Sequence, residues 1–552
     1  MNISVKQVSS LEKVTLSSYE NAKPIKSKTL MKGETYSYQV SVKCSDNIMF
    51  NVDVESELKD HIKVYLVKDA IMDLCTYTDY VEDDDYITKE TGTMPDILMP
   101  IEKVNNYFKT SYSVDTLWIK TDIPIDIKEG NYPIKITLTS DMRPEQIVLT
   151  SQMILEVTDE KISEQQITFT QWFHTDCIAN YHNVKVYSEE HWDLIDKYVH
   201  MASELGINMI LTPIITPPLD TGIGLRRTNV QLVDIKKDGQ NYTFDFSKVK
   251  RWIEICNKNN IKYFEISHFF SQWGLKSAPN ILVEENGKSD YLFGWHVEST
   301  DPEYKNFLDQ FLPELVKFLK DEGVADRCYF HISDEPKPEH IEKYKYAYNL
   351  IKSHIEGFKT IDALSTYSFY EEGYVDIPVC STNKIDRFLK HNLPNQWTYY
   401  CCSQHTKVAN RFLSMPSYRN RIIGLQLYKY DIKGFLHWGY NFYNSQYSIC
   451  PINPYITTSA NGGFPSGDSF SVYPVNNDVI PSLRAVIFKE ALQDIEICRT
   501  LEKYIGRDNV INMIDDAAGF SITFDNYPKN ADYIINLIDK MENMIKEYSD
   551  KE

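Results

Sequence analysis

Short runs in which apolar and polar residues alternate fill the beginning of the chain. Tyr36-Ser37-Tyr38-Gln39-Val40-Ser41-Val42 alternates, and Asn51-Val52-Asp53-Val54 does so more briefly. Tyr132-Pro133-Ile134-Lys135-Ile136-Thr137-Leu138 follows a Gly130-Asn131 turn, and Met153-Ile154-Leu155-Glu156-Val157 follows that. A period of two turns one face of a strand to a core and the other to water. Several such strands between polar turns predict an N-terminal β-sandwich with two apolar inner faces over residues 1–160. The polar stretch Thr158-Asp159-Glu160-Lys161 marks its end.

Beyond it the rhythm changes to short apolar strands alternating with helical stretches. Strands are expected at Ile167–Phe173, Asn208–Thr212, Ile261–Ile266 and Arg327–Ile332, then at 361–365, 375–380, Gln396–Tyr400 and Gly434–Trp438. Between them Phe307-Leu308, Phe311-Leu312, Leu315-Val316 and Leu319 recur at the spacing of one helical face, and 187–204, 247–258, 339–357 and 483–504 behave alike. Eight strands with intervening helices predict a (β/α)₈ TIM barrel over 161–505. Long insertions at 213–245 and 267–302 mark functional loops. A helical C-terminal extension, 506–552, is expected to pack on the barrel through Tyr533, Ile534, Leu537, Ile538, Met541 and Met544. The fold class is thus multidomain β plus α/β.

The net charge of -20 gives no basic footprint, so no nucleic-acid partner is expected. No signal-peptide pattern opens the chain, and no apolar run suits an integral membrane segment. A cytoplasmic location follows as an expectation. Ten cysteines, with Cys401-Cys402 adjacent, form no CxxC and read as reduced packing thiols. Aromatic residues make up 13% of the chain, and at strand ends their flat faces suit sugars.

The most informative segment is Tyr329-Phe330-His331-Ile332-Ser333-Asp334-Glu335-Pro336. A buried-looking strand ends in two acids, and Pro336 discourages a continued ladder. In a barrel, strand ends carry the catalytic groups. Two adjoining carboxylates cannot both ionise without cost, so one becomes a proton donor near neutrality. Glu335, with the longer arm, is the expected general acid/base. Asp334 is expected to stay ionised and to stabilise positive charge on the sugar or on a neighbouring participating group. Retention through an enzymic nucleophile, inversion, and assistance by an acetamido oxygen that attacks C1 while Asp334 orients and charge-balances that group all stay open at this point. The same dipeptide also suits a helix cap.

HISDEP at 331–336 resembles the catalytic strand end of glycoside hydrolase family 123, the β-N-acetylgalactosaminidases. FEISHFFSQWG at 264–274, FGWHVEST at 293–300, GFLHWGYNFYN at 434–444, GDSFSVYP at 467–474 and PSLRAVIFKEALQDIEICRTLE at 481–502 are similar too, in the same order. The likeness spans roughly 160–505 and is greatest to clostridial members. It implies a sandwich and barrel, and retaining, substrate-assisted hydrolysis of terminal β-linked GalNAc on glycans or glycosphingolipids through an oxazoline or oxazolinium intermediate. The orienting acid would then be Asp334 and the acid/base Glu335. A β-N-acetylglucosaminidase, a broader β-hexosaminidase and a non-catalytic carbohydrate-binding protein remain open, as does the oligomeric state.

Supporting residues come from the other strand ends. Trp438 and Tyr440 are placed to floor a sugar subsite, with closure of the core the other reading of Trp438. Tyr399 and Tyr400 should face opposite ways, one of them reaching the acetamido group, with Tyr400 nearer the mouth. Asp468 either accepts from sugar hydroxyls or caps a turn. His268, Gln272 and Trp273, with His296 and Glu298, give the third loop a polar and aromatic mixture suited to sugars. His174, Asp176 and His182 match no metal spacing, so neither metal nor other cofactor is expected. His331 reads as a satisfied structural histidine or an organiser of Asp334.

Overall fold

The computed structural model describes residues 2–77, 83, 85–141 and 146–551. It forms two compact units. One comprises Met1–Gln166, His405–Tyr430 and Ile480–Glu552; the other comprises Ile167–Gln404 and Asp431–Val479.

The first unit contains two five-stranded sheets. One runs in the order Ile3–Ser9, Thr35–Cys44, Val114–Asp122, Ile62–Met72, Gly92–Pro100; the other runs Ser27–Lys32, Ile147–Lys161, Gly130–Ser140, Met49–Glu55, Tyr107–Lys109. Alternation decides which face is covered. Tyr38, Val40, Val42, Leu117 and Ile119 of one sheet join Ile134, Ile136, Leu138, Met153, Leu155 and Val157 of the other in a single apolar core. The helix Leu483–Ile505 belongs to this unit and packs against Ile423–Lys429. The last helix, Ala531–Ser549, is capped by the Asn530 side chain and buries Tyr533, Ile534, Leu537, Ile538 and Met541. It lies against Leu483–Ile505 and against strands Ser27–Lys32 and Ile147–Lys161.

The second unit holds a closed parallel barrel of eight strands. We number them β1 (Thr168–Gln171), β2 (Met209–Thr212), β3 (Tyr263–Ile266), β4 (Cys328–Phe330), β5 (Lys359–Ala363), β6 (Ile377–Ser381), β7 (Trp397–Tyr399) and β8 (Gly434–His437). β1 to β4, β7 and β8 lie within expected strands, shortened at one end or both, whereas β5 begins before the expected 361–365 and β6 runs past the expected 375–380. The interior is packed by Met209, Leu211, Ile361, Ala363, Ile377, Val379, Trp397 and Leu436. Gly434 is required by its neighbour, since an added Cβ would lie 2.0 Å from the Trp397 ring.

The two long insertions fold together. Asp234–Asp238 and Asn241–Asp245 form a hairpin, Ile281–Glu285 and Lys288–Phe293 a second, and Asp234–Asp238 pairs in parallel with Ile281–Glu285 to make one four-stranded sheet. Joining them gives each loop backbone partners that neither would have alone.

Candidate active site

β4 ends where its ladder is replaced by a side chain. Phe330 is the last strand residue, and the amides of Ile332 and Ser333 donate to the carboxylate of Asp362 on β5 at 3.1 to 3.4 Å. The chain then bends. Glu335 adopts a left-handed φ of 46° while its amide donates to Ala363 O at 3.1 Å. A glutamate in that conformation is strained, and such strain collects where a side chain must be aimed. Here it leaves Asp334 buried and Glu335 half-buried, both lining one cavity.

Beneath the acids lies a closed ionic network. His331 Nε2 meets Glu265 Oε2 at 2.8 Å and its Nδ1 meets Asp362 Oδ1 at 3.1 Å. Burial works against a charged ring, but the hydrogen bonds to Asp362 and Glu265 outweigh it and lift His331 to about 9. An imidazolium therefore sits between two carboxylates at neutral pH. Trp172 Nε1 donates to Glu265 at 2.9 Å, and the hydroxyls of Thr170 and Tyr344 donate to Glu265 and Asp362. The His268 ring stacks on His331 at 4.2 Å, and burial with the His331 charge holds it well below the ordinary histidine range. His268, His331 and Asp362 bring ligand atoms within 4.8 Å of one another, but both His331 nitrogens already face carboxylates.

The cavity has a volume of about 220 Å³, the scale of one pyranose ring. Trp172, Trp438 and Phe464 supply aromatic walls, Asp220 and Gln272 polar ones. Gln272 Nε2 donates to Asp334 Oδ2 at 2.7 Å, while Gln272 Oε1 accepts the Asp220 amide at 2.7 Å. Burial, then the adjoining Glu335, pushes the Asp334 carboxyl well above the usual range; Gln272 and the His331 charge pull it back. Burial and the neighbouring acid thus favour the protonated form of Asp334, against the ionised form expected from the sequence. Tyr399 donates to Glu335 Oε1 at 2.7 Å, its phenol pushed well up by burial and by Glu335. Asp220 is raised to about 6 by burial, against a hydrogen bond from the Tyr447 amide at 2.9 Å.

Of the residues expected at the site, Asp334, Glu335, Tyr399, Trp438, Gln272 and Trp273 line this cavity. Tyr400, Tyr440, His268, His296, Glu298 and Asp468 do not. Tyr400 points to the opposite side of β7, where its ring packs on Phe435 at 4.9 Å and His437 at 5.5 Å. Tyr440 follows the turn at Gly439, stacks on Phe173 at 5.8 Å and donates to Tyr198 O. His268 belongs to the buried network, His296 is exposed beside Gly294, and Glu298 is exposed as well. Asp468 is fully buried behind Trp438, whose indole N–H it accepts at 2.8 Å, so it fixes the ring from behind.

Sequence reasoning missed Trp172 and Asp220. Trp172 lies two residues past Thr170, so alternation could have pointed it inward. Asp220 carried no such signal. Near the rim, Arg227 pairs with Asp176 at 2.5 and 2.9 Å and donates to His174 Nδ1 at 3.0 Å, an ion pair that ties the second loop to the first. Among the described residues, no helix is long and apolar enough to cross a membrane.

Comparison with solved structures finds a family 123 glycoside hydrolase from Clostridium perfringens, described for glycolipid glycan hydrolysis. It is 17% identical, with a TM-score of 0.73 over 100% of this chain and 98% of that one. That likeness establishes the fold. A β-glucuronidase from Parabacteroides merdae (10% identity, TM-score 0.33, 83% of this chain and 50% of that one) and an endo-β-1,4-mannanase from Thermotoga petrophila (13%, 0.33, 60% and 78%) are too distant to bear on function. No curated protein sequence matches. The family described as glycoside hydrolase 123, catalytic domain, matches residues 172–501, a span that holds every barrel strand but the first and every residue lining the cavity. On that match, over more than half its length, the chain belongs to glycoside hydrolase family 123.

Proposed function

We propose that this glycoside hydrolase removes terminal β-linked N-acetylgalactosamine from glycans or glycosphingolipids, with retention and with the substrate's own acetamido group as nucleophile. The observation that carries the reading is the placement of Asp334 and Glu335 side by side in one sugar-sized cavity, each held by a different donor, Gln272 and Tyr399. The family resemblance and the glycolipid glycan hydrolysis described for the Clostridium perfringens relative support the substrate class.

The acetamido N–H donates to Asp334 and favours its ionised form, and Glu335 acts as the proton donor. The acetamido oxygen then attacks C1 as the C1–O glycosidic bond breaks, and Glu335 gives its proton to the leaving oxygen. Asp334 balances the charge of the oxazolinium ring. Water next loses a proton to Glu335 and adds to C1, which opens the ring and restores both the acetamide and the β configuration. The indole of Trp438, fixed by Asp468, offers its face to the sugar's C–H groups.

The test compares matched aryl β-GalNAc, β-GlcNAc and β-Gal substrates with wild type and Glu335→Gln. Turnover should favour GalNAc and be lacking for β-Gal, and the substitution should lower kcat by roughly 10²–10⁴-fold. Equal turnover by both proteins rejects Glu335 as acid/base. Robust β-Gal hydrolysis rejects acetamido participation, and preference for β-GlcNAc rejects the GalNAc assignment.

A further inference from the structure

Family membership leaves Cys401-Cys402 without a role, yet the pair stands directly after Tyr399-Tyr400 at the end of β7 and both residues line the cavity that holds Asp334 and Glu335. A short turn shapes it. The Gln404 amide donates to Cys401 O at 3.0 Å, and Gln404 Oε1 accepts from the Cys401 amide at 2.9 Å and its thiol at 3.3 Å. Cys401 packs against the cluster that includes Trp172, Tyr399 and Leu436, Cys402 packs against that of Phe442, Ala460 and Phe464, and Trp438 packs against both clusters. Cys401 and Cys402 thus line the same cavity as Trp438.

We propose that Cys401 and Cys402 form a vicinal dithiol site for trivalent arsenicals, and that occupation of this site excludes substrate from the cavity. The second half rests on the cavity being the sugar site, as argued above. Contact with the Cys402 thiol, then burial and the charge of Glu335, pushes Cys401 well above the ordinary thiol range. A protonated thiol is slow towards alkylating agents, which need the thiolate. Trivalent arsenic has no such need. Phenylarsine oxide condenses with two thiols: two S–H bonds and the As–O bonding break, two As–S bonds form, one water leaves and no oxidation state changes. The phenyl ring then lies among Trp438, Phe464 and Trp172, where the sugar would stack. None of the ten cysteines is in a disulfide, and no other two are adjacent in the chain. Cys450, the exposed one, contacts Ser445 and Asn461. Two tethered sulfurs hold one arsenic ~10²–10⁴-fold more tightly than one sulfur does.

The experiment treats the folded full-length protein with phenylarsine oxide in excess glutathione, then reads intact mass, the modified peptide and residual turnover. Wild type should gain one phenylarsine spanning Cys401 and Cys402, lose turnover in step, and recover both on addition of a dithiol. Cys401→Ala and Cys402→Ala should each bind at least ~100-fold more weakly. Peptide mapping of wild type keeps the test valid if a variant fails to fold. No adduct on wild type, or an adduct placed elsewhere, overturns the site. An adduct on both cysteines with turnover intact overturns the exclusion of substrate. Because mass reports the adduct, failure here is distinguishable from failure of the GalNAc reading.

Discussion

Replacing His331 with glutamine removes the cation that stands between Glu265 and Asp362 under the acidic pair. The ring is fully buried and lifted from 6.5 to about 9. At about 1.4 kcal/mol per pKa unit, that is on the order of 3 kcal/mol of folding stability. The folded value is the higher one, so the contribution is complete below pH 6.5, declines as pH rises, and is lost as pH passes through about 9. The variant also leaves two buried carboxylates without their counter-charge, an outright cost of about 3–5 kcal/mol near pH 6. Urea unfolding of both proteins between pH 6 and 10 measures the difference, and Trp172, which donates to Glu265, reports from the network itself. Comparison with the variant cancels groups that titrate elsewhere. The gap should narrow by ~3 kcal/mol across the window. Parallel stability curves would refute a buried imidazolium.

Three further outcomes follow from the cavity. Tyr399→Phe deletes the hydrogen bond to Glu335; a bond to a charged group is worth about 1.5–3 kcal/mol, so kcat on an aryl β-GalNAc should fall roughly 10–100-fold, and an unchanged kcat would remove Tyr399 from the site's working parts. Gln272→Ala frees Asp334 Oδ2 and should depress kcat by ~10-fold or more with KM little changed, in steady-state kinetics; a change confined to KM would mean that Gln272 only binds sugar. Trp438→Ala removes the indole held by Asp468 and should raise KM by roughly tenfold, whereas unchanged affinity would place the sugar elsewhere.

The barrel was legible because each strand is a short apolar run that ends at a polar loop, and a buried parallel strand needs nothing subtler. The acidic pair was legible for the same reason: Phe330 closes an apolar strand and Asp334-Glu335-Pro336 cannot continue it. What pattern could not supply was orientation past a strand end. Alternation says that Tyr399 and Tyr400 diverge, but the choice depends on which side of β7 faces the interior, and that is set by pairing with Leu436 on β8. Tyr440 was misplaced because regular alternation does not extend through the turn at Gly439. His331 and Asp362 are far apart in sequence and meet only because β4 and β5 are neighbours. The proton state of Asp334 likewise depends on burial that one strand cannot reveal.

Electron withdrawal at the substrate's amide probes the central claim most directly. Aryl β-GalNAc substrates whose N-acetyl group carries zero, one, two or three fluorines differ little in shape but greatly in the nucleophilicity of the amide oxygen. If that oxygen attacks C1 while Asp334 steadies the nitrogen and Glu335 delivers the proton, kcat/KM should fall steeply with every fluorine added. A rate that stays level across the series would contradict participation and leave the two acids with a different task.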